Sequence, residues 1–171
     1  MMVQRRHRTA AKPLDAAGLN ALALAYVGRY ATTRGKLVRY LARKLRERGA
    51  ADGSTASPDD AADRMVAYGY VDDAGFAQNR ADALHAQGYG DRRVRGVLAQ
   101  AGIERDIVEQ ALPHDGERAR HAAETYARRK RFGPYANKPI DPPLMQKQLA
   151  AMIRAGHDFA LARAILKGVH P

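Results

Sequence analysis

Three glycines, Gly49, Gly102 and Gly156, stand 53 and 54 residues apart, each just after a stretch whose apolar residues recur at helical spacing. A glycine in that position supplies the left-handed cap that ends many helices. The neighbours keep the same phase. Leu45, Leu98 and Met152 lie four residues before the three glycines, and Ala111-Leu112 and Ile165-Leu166 recur at matching places after the second and third. The repeating unit is therefore a helical triplet used three times. One triplet cannot bury its apolar faces alone, so stacked neighbours share a core. The fold expected is all-α, with three tandem three-helix repeats forming an elongated or curved rod.

Helix-forming Ala, Leu, Arg, Lys and Gln fill the periodic segments, and no run alternates β-branched and aromatic residues as a strand would. The spacing predicts helices near 15–30, 33–48, 58–67, 72–87, 90–101, 104–112, 115–132, 142–155 and 158–167. Grouped in threes they give a basic flexible arm at 1–14, carrying Arg5, Arg6, Arg8 and Lys12, and repeats at 15–69, 70–113 and 114–171. The segments "AADGSTASPDD" and "FGPYANKPIDPPL" interrupt the pattern as inserts. In the first helix Leu19, Leu22, Ala23, Tyr26, Val27 and Tyr30 form one apolar face, which argues for a core helix and against a signal peptide. No apolar run is long enough to span a bilayer.

Asp72 and Asp73 invite a catalytic reading, but helix capping explains them better. With Asp72 at the N-cap, Val71 and Phe76 occupy the positions of a hydrophobic staple, and Asp73 complements the helix dipole. Ser57-Pro58-Asp59-Asp60 reads the same way, as a capping serine, a proline at the first helical position and acids in the first turn.

Other chemistry is equally thin. The chain has no cysteine, so it offers neither disulfides nor thiolates and suits a reducing compartment such as the cytoplasm. No GxxxxGK[ST] run cradles a phosphate. The six histidines include no helical pair and no HExxH, and they read as solvated side chains. The only serines are Ser54 and Ser57, both in a loop-like segment. The chain is expected to be no enzyme and to need neither metal nor cofactor.

Charge is what asks for a function. With 29 basic and 18 acidic side chains the net charge is +11, more than solubility needs and in the range where polyanions become partners. It is also uneven. Leu37, Leu41 and Leu45 mark one face of the second helix, while Lys36, Arg39, Arg43 and Arg46 gather roughly opposite. Arg92, Arg93 and Arg95 recur in the second repeat, and Arg128, Arg129, Lys130 and Arg131, with Lys138 beyond them, in the third. These residues are the candidate sites for an acidic partner or nucleic acid.

The stretches "YVDDAGFAQNRA" at 70–81, "GYGDRRVRGVLAQAGI" at 88–103 and "DIVEQAL" at 106–112 resemble the RecX family of bacterial regulatory proteins. The first repeat, "TTRGKLVRYLARKLRERGA", fits the family pattern more loosely, with Lys36 where a glutamate is common. The resemblance implies a small all-helical protein without catalytic activity. Its implied partner is the RecA recombinase, whose filament on single-stranded DNA such proteins enter along the groove. There they restrain ATP hydrolysis, strand exchange and coprotease action, and so modulate recombination, DNA repair and the SOS response. Some members also touch single- or double-stranded DNA directly. A cytoplasmic monomer with no membrane attachment is expected.

Two other readings stay open. A stand-alone DNA-binding module of helix-turn-helix type would also use three-helix units, though Asn and Gln for base reading are sparse on the basic helices. A helical enzyme acting on nucleic acid would need acids clustered beside the basic faces, whereas the aspartates concentrate at helix starts and in the loop at 52–60.

Overall fold

The structure is a computed structural model that describes residues 12–137, 139 and 141–168. Among the described residues it is all-α, and the helices fall where the periodicity places them. The chain divides into two compact units, the first running to Asp72 and the second beginning at Asp73.

The first unit contains α1 (Ala16–Val27), α2 (Arg34–Arg48) and α3 (Pro58–Ala67). Each start has a side-chain cap. The Gly18 amide donates to Asp15, the Lys36 amide to Thr33 and the Asp60 amide to Ser57, with Pro58 in the first helical turn as its sequence context predicts. Leu19, Ala23, Leu37, Leu41, Ala61, Ala62 and Met65 form the core, with Leu45 packed against it. Arg34 ties α2 to α3 by donating to Asp63 and Asp59, so Asp59 serves a tertiary contact besides its place in the first turn. The Leu14 amide donates to the Gly49 carbonyl at 2.8 Å, the Ala51 amide donates to the Leu14 carbonyl at 2.9 Å, and Leu14 is buried. Arg48 also donates to the Lys12 carbonyl. Lys12 to Leu14, assigned to the arm from the sequence, are thus tied to the end of α2. Arg5, Arg6 and Arg8 lie outside the described residues.

The second unit contains α4 (Asp73–Ala86), α5 (Asp91–Ala101), α6 (Arg105–Ala111), α7 (Gly116–Lys130), a 3-10 turn (Gly133–Tyr135), α8 (Pro142–Arg154) and α9 (Phe159–Lys167). Its buried residues gather in two clusters. Ala77, Ala81, Leu84, Val94, Leu98, Val108 and Leu112 form one, and Ala123, Ala127, Met152, Ala162, Ile165 and Leu166 the other. Asp73 sits in the first turn of α4, where it favours the helix dipole. The residues read as a staple serve different cores, Val71 that of the first unit and Phe76 the first cluster of the second. The insert around 132–141 is anchored where the Gly133 amide donates to the buried Gln148 carbonyl oxygen at 2.9 Å.

All three recurring glycines have positive φ: +78° at Gly49, +80° at Gly102 and +98° at Gly156. Gly156 does more than end a helix. The Gly90 amide donates to the Ala155 carbonyl at 3.0 Å and the Arg92 amide to the Gly156 carbonyl at 3.3 Å, so the start of α5 is bonded to the turn after α8.

Two histidines near this joint are buried, which corrects the reading of all six as solvated, and His157 bonds across it. His157 is buried, and its Nε2–H donates to the Gly88 carbonyl at 3.0 Å. His85 is buried too, with Nε2 2.7 Å from the Asp91 carboxylate. Both sit at helix ends, where one amphipathic stripe does not report what a neighbouring repeat covers. Desolvation holds the His157 imidazole below its ordinary value, although the Gly88 carbonyl and Asp91 pull the other way. The hydrogen bond from His85 holds the Asp91 carboxyl below the usual carboxylate range.

Because the unfolded chain protonates His157 more readily than the folded one, stability is expected to fall as pH drops below about 6.5, by at most about 1.4 kcal/mol per pH unit for this group. The Asp91 contribution persists above the unfolded carboxylate value and disappears only at lower pH, as its folded value is passed. Urea titrations of wild type and His157→Gln across this range provide the check. The variant should lose the upper part of the slope, and an unchanged slope would remove His157 as its source.

Candidate polyanion-binding surface

On α2 the helical period separates core from charge as the sequence predicts. Leu37 and Leu41 are fully buried, while Arg39, Arg43 and Arg46 are exposed and Lys36 is half-buried. Three of the four share a feature that the stripe alone does not show. Lys36, Arg39 and Arg43 line an open groove of about 680 Å³ between α1 and α2, together with Leu22, Ala25, Tyr26, Arg29, Tyr30 and Tyr40. Arg46 lies on the same helix but outside that lining. Arg29 belongs to the same basic run in the sequence but not to the stripe on α2, and it lines the groove from beyond the end of α1 at Val27.

Part of the charge on α2 is internally committed. Lys44 donates to Glu47 at 2.7 Å, and Arg43 lies 3.7 Å from the same carboxylate and 5.7 Å from the Tyr40 ring centroid. Those cations hold the Glu47 carboxyl below its usual range, with the Lys44 hydrogen bond the main cause. Exposed pairs of this kind contribute little to stability and exchange readily for a stronger anion.

In the second unit the predicted cations divide. Arg92 and Arg93 line a groove of about 430 Å³ with Gly96, Val97, Gln100, Ile153, Arg154 and Gly156. Arg154 is the member the sequence did not flag, because it is isolated in the chain and meets the others only through the Gly90–Ala155 joint. Arg95 points its guanidinium at Glu109 through two hydrogen bonds of 3.1 Å, bracing α5 against α6. That bond raises the arginine's proton affinity and lowers the glutamate's.

Near the end of α7, Arg129 lies over Tyr89 and Tyr126, at 5.6 and 5.5 Å from the ring centroids, and Arg93 approaches Tyr89 at 5.9 Å. The rings thereby bring cations of α5 and α7 to one place. Arg128 lies over Tyr135 at 5.2 Å. Lys130 is exposed in the last turn, and Arg131 closes the helix in the left-handed conformation with φ 56°. Lys138 lies outside the described residues.

Such a surface can hold phosphates or carboxylates and place aromatic faces beside them. Among the described residues no group of three or more His, Cys, Asp or Glu is arranged to hold a metal ion, and no helix is long and apolar enough to cross a membrane.

Residues 72–112 match the family model described as "RecX, second three-helix domain". The chain is 30% identical over 156 residues to regulatory protein RecX of Myxococcus xanthus (strain DK1622), covering 86% of this chain and 83% of that protein. It is also 30% identical over 128 residues to regulatory protein RecX of Pseudomonas putida (strain GB-1), covering 75% and 78%. In a solved structure titled "Crystal structure of regulatory protein RecX" the fold matches with a TM-score of 0.66 at 20% identity, over 88% of this chain and 72% of that one.

Proposed function

This chain belongs to the RecX family of regulatory proteins, and from that premise we propose that it binds a RecA-type recombinase filament through its basic faces. By occupying the filament it restrains ATP hydrolysis, strand exchange and coprotease action, and so modulates recombination, DNA repair and the SOS response. It does so in the cytoplasm as a monomer, without catalysis, metal or cofactor of its own. Its working parts are the repeats at 15–69, 70–113 and 114–171, with Arg95 contributing mainly as a brace within the second.

The observation that supports this reading is the gathering of exposed cations into grooves on both units, in a chain whose relatives are regulators. A filament on DNA offers repeated acidic and phosphate groups. Several weak contacts made together raise effective affinity by about 10²–10⁴ without one strong site.

The test adds purified protein to the cognate recombinase on single-stranded DNA and follows ATP turnover and filament length. Charge reversal at Arg39, Arg43 and Arg46 together should raise the concentration needed for half-inhibition by about tenfold or more, at about 1.4 kcal/mol per decade. If wild type at equimolar ratio changes neither readout, with saturating single-stranded DNA excluding simple competition, the regulator reading gives way to a stand-alone helical DNA-binding module.

A further inference from the structure

A second groove of the first unit is apolar, not basic. It lies between α1 and α3 and encloses about 340 Å³, with Asn20, Ala21 and Leu24 on one wall, Arg64 and Met65 on the other, and Tyr68 and Tyr70 just beyond α3. Met65 is buried, while Leu24, Tyr68 and Tyr70 are 50%, 70% and 57% exposed. The chain turns at Gly69, with φ +73°, and the Tyr70 amide donates to the Met65 carbonyl at 2.9 Å. That turn folds Tyr70 back beside Tyr68, edge to face, with ring centroids 6.4 Å apart. None of the three exposed side chains belongs to the core of this unit. Single exposed apolar residues are ordinary on a protein surface, but three around one groove are what an interface displays.

The groove also restricts its occupant. Residues 20, 21 and 24 of α1 and 64, 65 and 68 at the end of α3 share the spacing i, i+1, i+4, so one face of each helix meets the groove, and Ala21 lets a third backbone come close. A helix laid between two helices suits that geometry. Strand addition has no edge to extend, because the described residues contain no strand. Arg64 is the one charged residue lining the groove, and it is exposed and makes no ion pair among the described residues. Tyrosine and arginine together are the residue types that dominate the energetics of protein interfaces. We propose that the groove between α1 and α3 docks an amphipathic helix of a partner protein, its apolar face against Leu24, Tyr68 and Tyr70 and a flanking carboxylate paired with Arg64. None of the cations assigned to the filament lines this groove, so the inference goes beyond that reading and does not depend on it.

The test uses the full chain with no recombinase present. Four labelled synthetic peptides are titrated by fluorescence anisotropy at one fixed salt concentration: a helix former with leucines at i, i+3, i+4 and i+7 flanked by glutamates, the same helix flanked by lysines, a scramble of the acidic one, and a polyproline peptide. The acidic helix should bind best. Tyr68→Ala and Leu24→Ser, both at exposed positions on opposite walls, should each weaken it by about tenfold or more. Arg64→Glu should reverse the preference to the lysine-flanked helix. Arg39→Glu, in the other groove, should leave acidic-helix binding unchanged. Equal binding of the scramble, or a loss in Arg39→Glu with none in Tyr68→Ala, would overturn the proposal by assigning the affinity to the net charge of +11. Tighter binding of polyproline would overturn it too, and so would a dimer of the chain alone that Tyr68→Ala dissolves, because the groove would then belong to a proline-rich segment or to a second copy. If no helix binds while recombinase inhibition persists, this inference fails and the regulator reading stands.

Discussion

Gly90→Ala and Gly156→Ala should each cost the second unit about 3–5 kcal/mol, the sum of overpacking and, at Gly156, left-handed strain. A methyl at Gly90 would sit on the carbonyl of Gly156, with the His157 amide nitrogen 2.7 Å away. A methyl at Gly156 would meet the Arg93 amide and the Gly90 carbonyl oxygen, the latter at 2.7 Å, and Gly156 already requires φ of +98°. These neighbours are backbone atoms. They cannot give way without breaking the Gly90–Ala155 and Arg92–Gly156 hydrogen bonds, which join the second and third triplets. The control is Gly96→Ala. Gly96 lies inside α5 with nothing within 4 Å of the added carbon, so the methyl should stabilise the helix by about 0.5–1 kcal/mol. Denaturant unfolding of the three variants should order them with a gap of several kcal/mol. If Gly90→Ala or Gly156→Ala unfolds like Gly96→Ala, the joint is not where the unit's stability resides.

The same glycine shows what could be read in advance and what could not. Its place four residues after Met152 marks a helix end, because helix periodicity and cap preference are local properties of the chain. Its contact with Arg93 is long-range and leaves no local trace. The histidines follow the same division: His85 and His157 look polar in sequence and are buried, His85 against Asp91 at the start of the next helix and His157 against the Gly88 carbonyl of another repeat. On α2 the period alone sorted Leu37 and Leu41 inward and Arg39, Arg43 and Arg46 outward. For Tyr30 the period misled, since it continued the apolar face of α1 past Val27, where the helix stops and the ring turns to solvent. Arg95 looked like its neighbours Arg92 and Arg93 until Glu109 on the next helix engaged it. A surface is legible where a face repeats within one helix, and it is hidden where two helices must first be brought together.

That separation of core and charge on α2 leads to the other large effect, at Leu41. The side chain is fully buried in the core that also holds Leu19, Ala23, Leu37, Ala61, Ala62 and Met65, three of which are alanines. Leu41→Ala removes buried methyl groups and leaves a void that the alanines have few side-chain atoms to fill, so the loss should be about 3–5 kcal/mol. A unit of this size buries a modest share of its surface, and such a loss is a large fraction of what holds it folded. The basic face should behave in the opposite way. Arg39, Arg43 and Arg46 are exposed, and the ion pair between Arg43 and Glu47 that their reversal removes is exposed as well, with Lys44 still paired to Glu47. Triple reversal should therefore shift stability by no more than about 1 kcal/mol. Native-state hydrogen exchange at the amides of Leu37, Leu41 and Leu45 reads both outcomes in one experiment. Faster exchange in Leu41→Ala with unchanged exchange in the reversed-charge variant is the expected result. Loss of protection in the reversed-charge variant would mean that its functional defect reports unfolding, and the assignment of α2 as a binding face would lose its support.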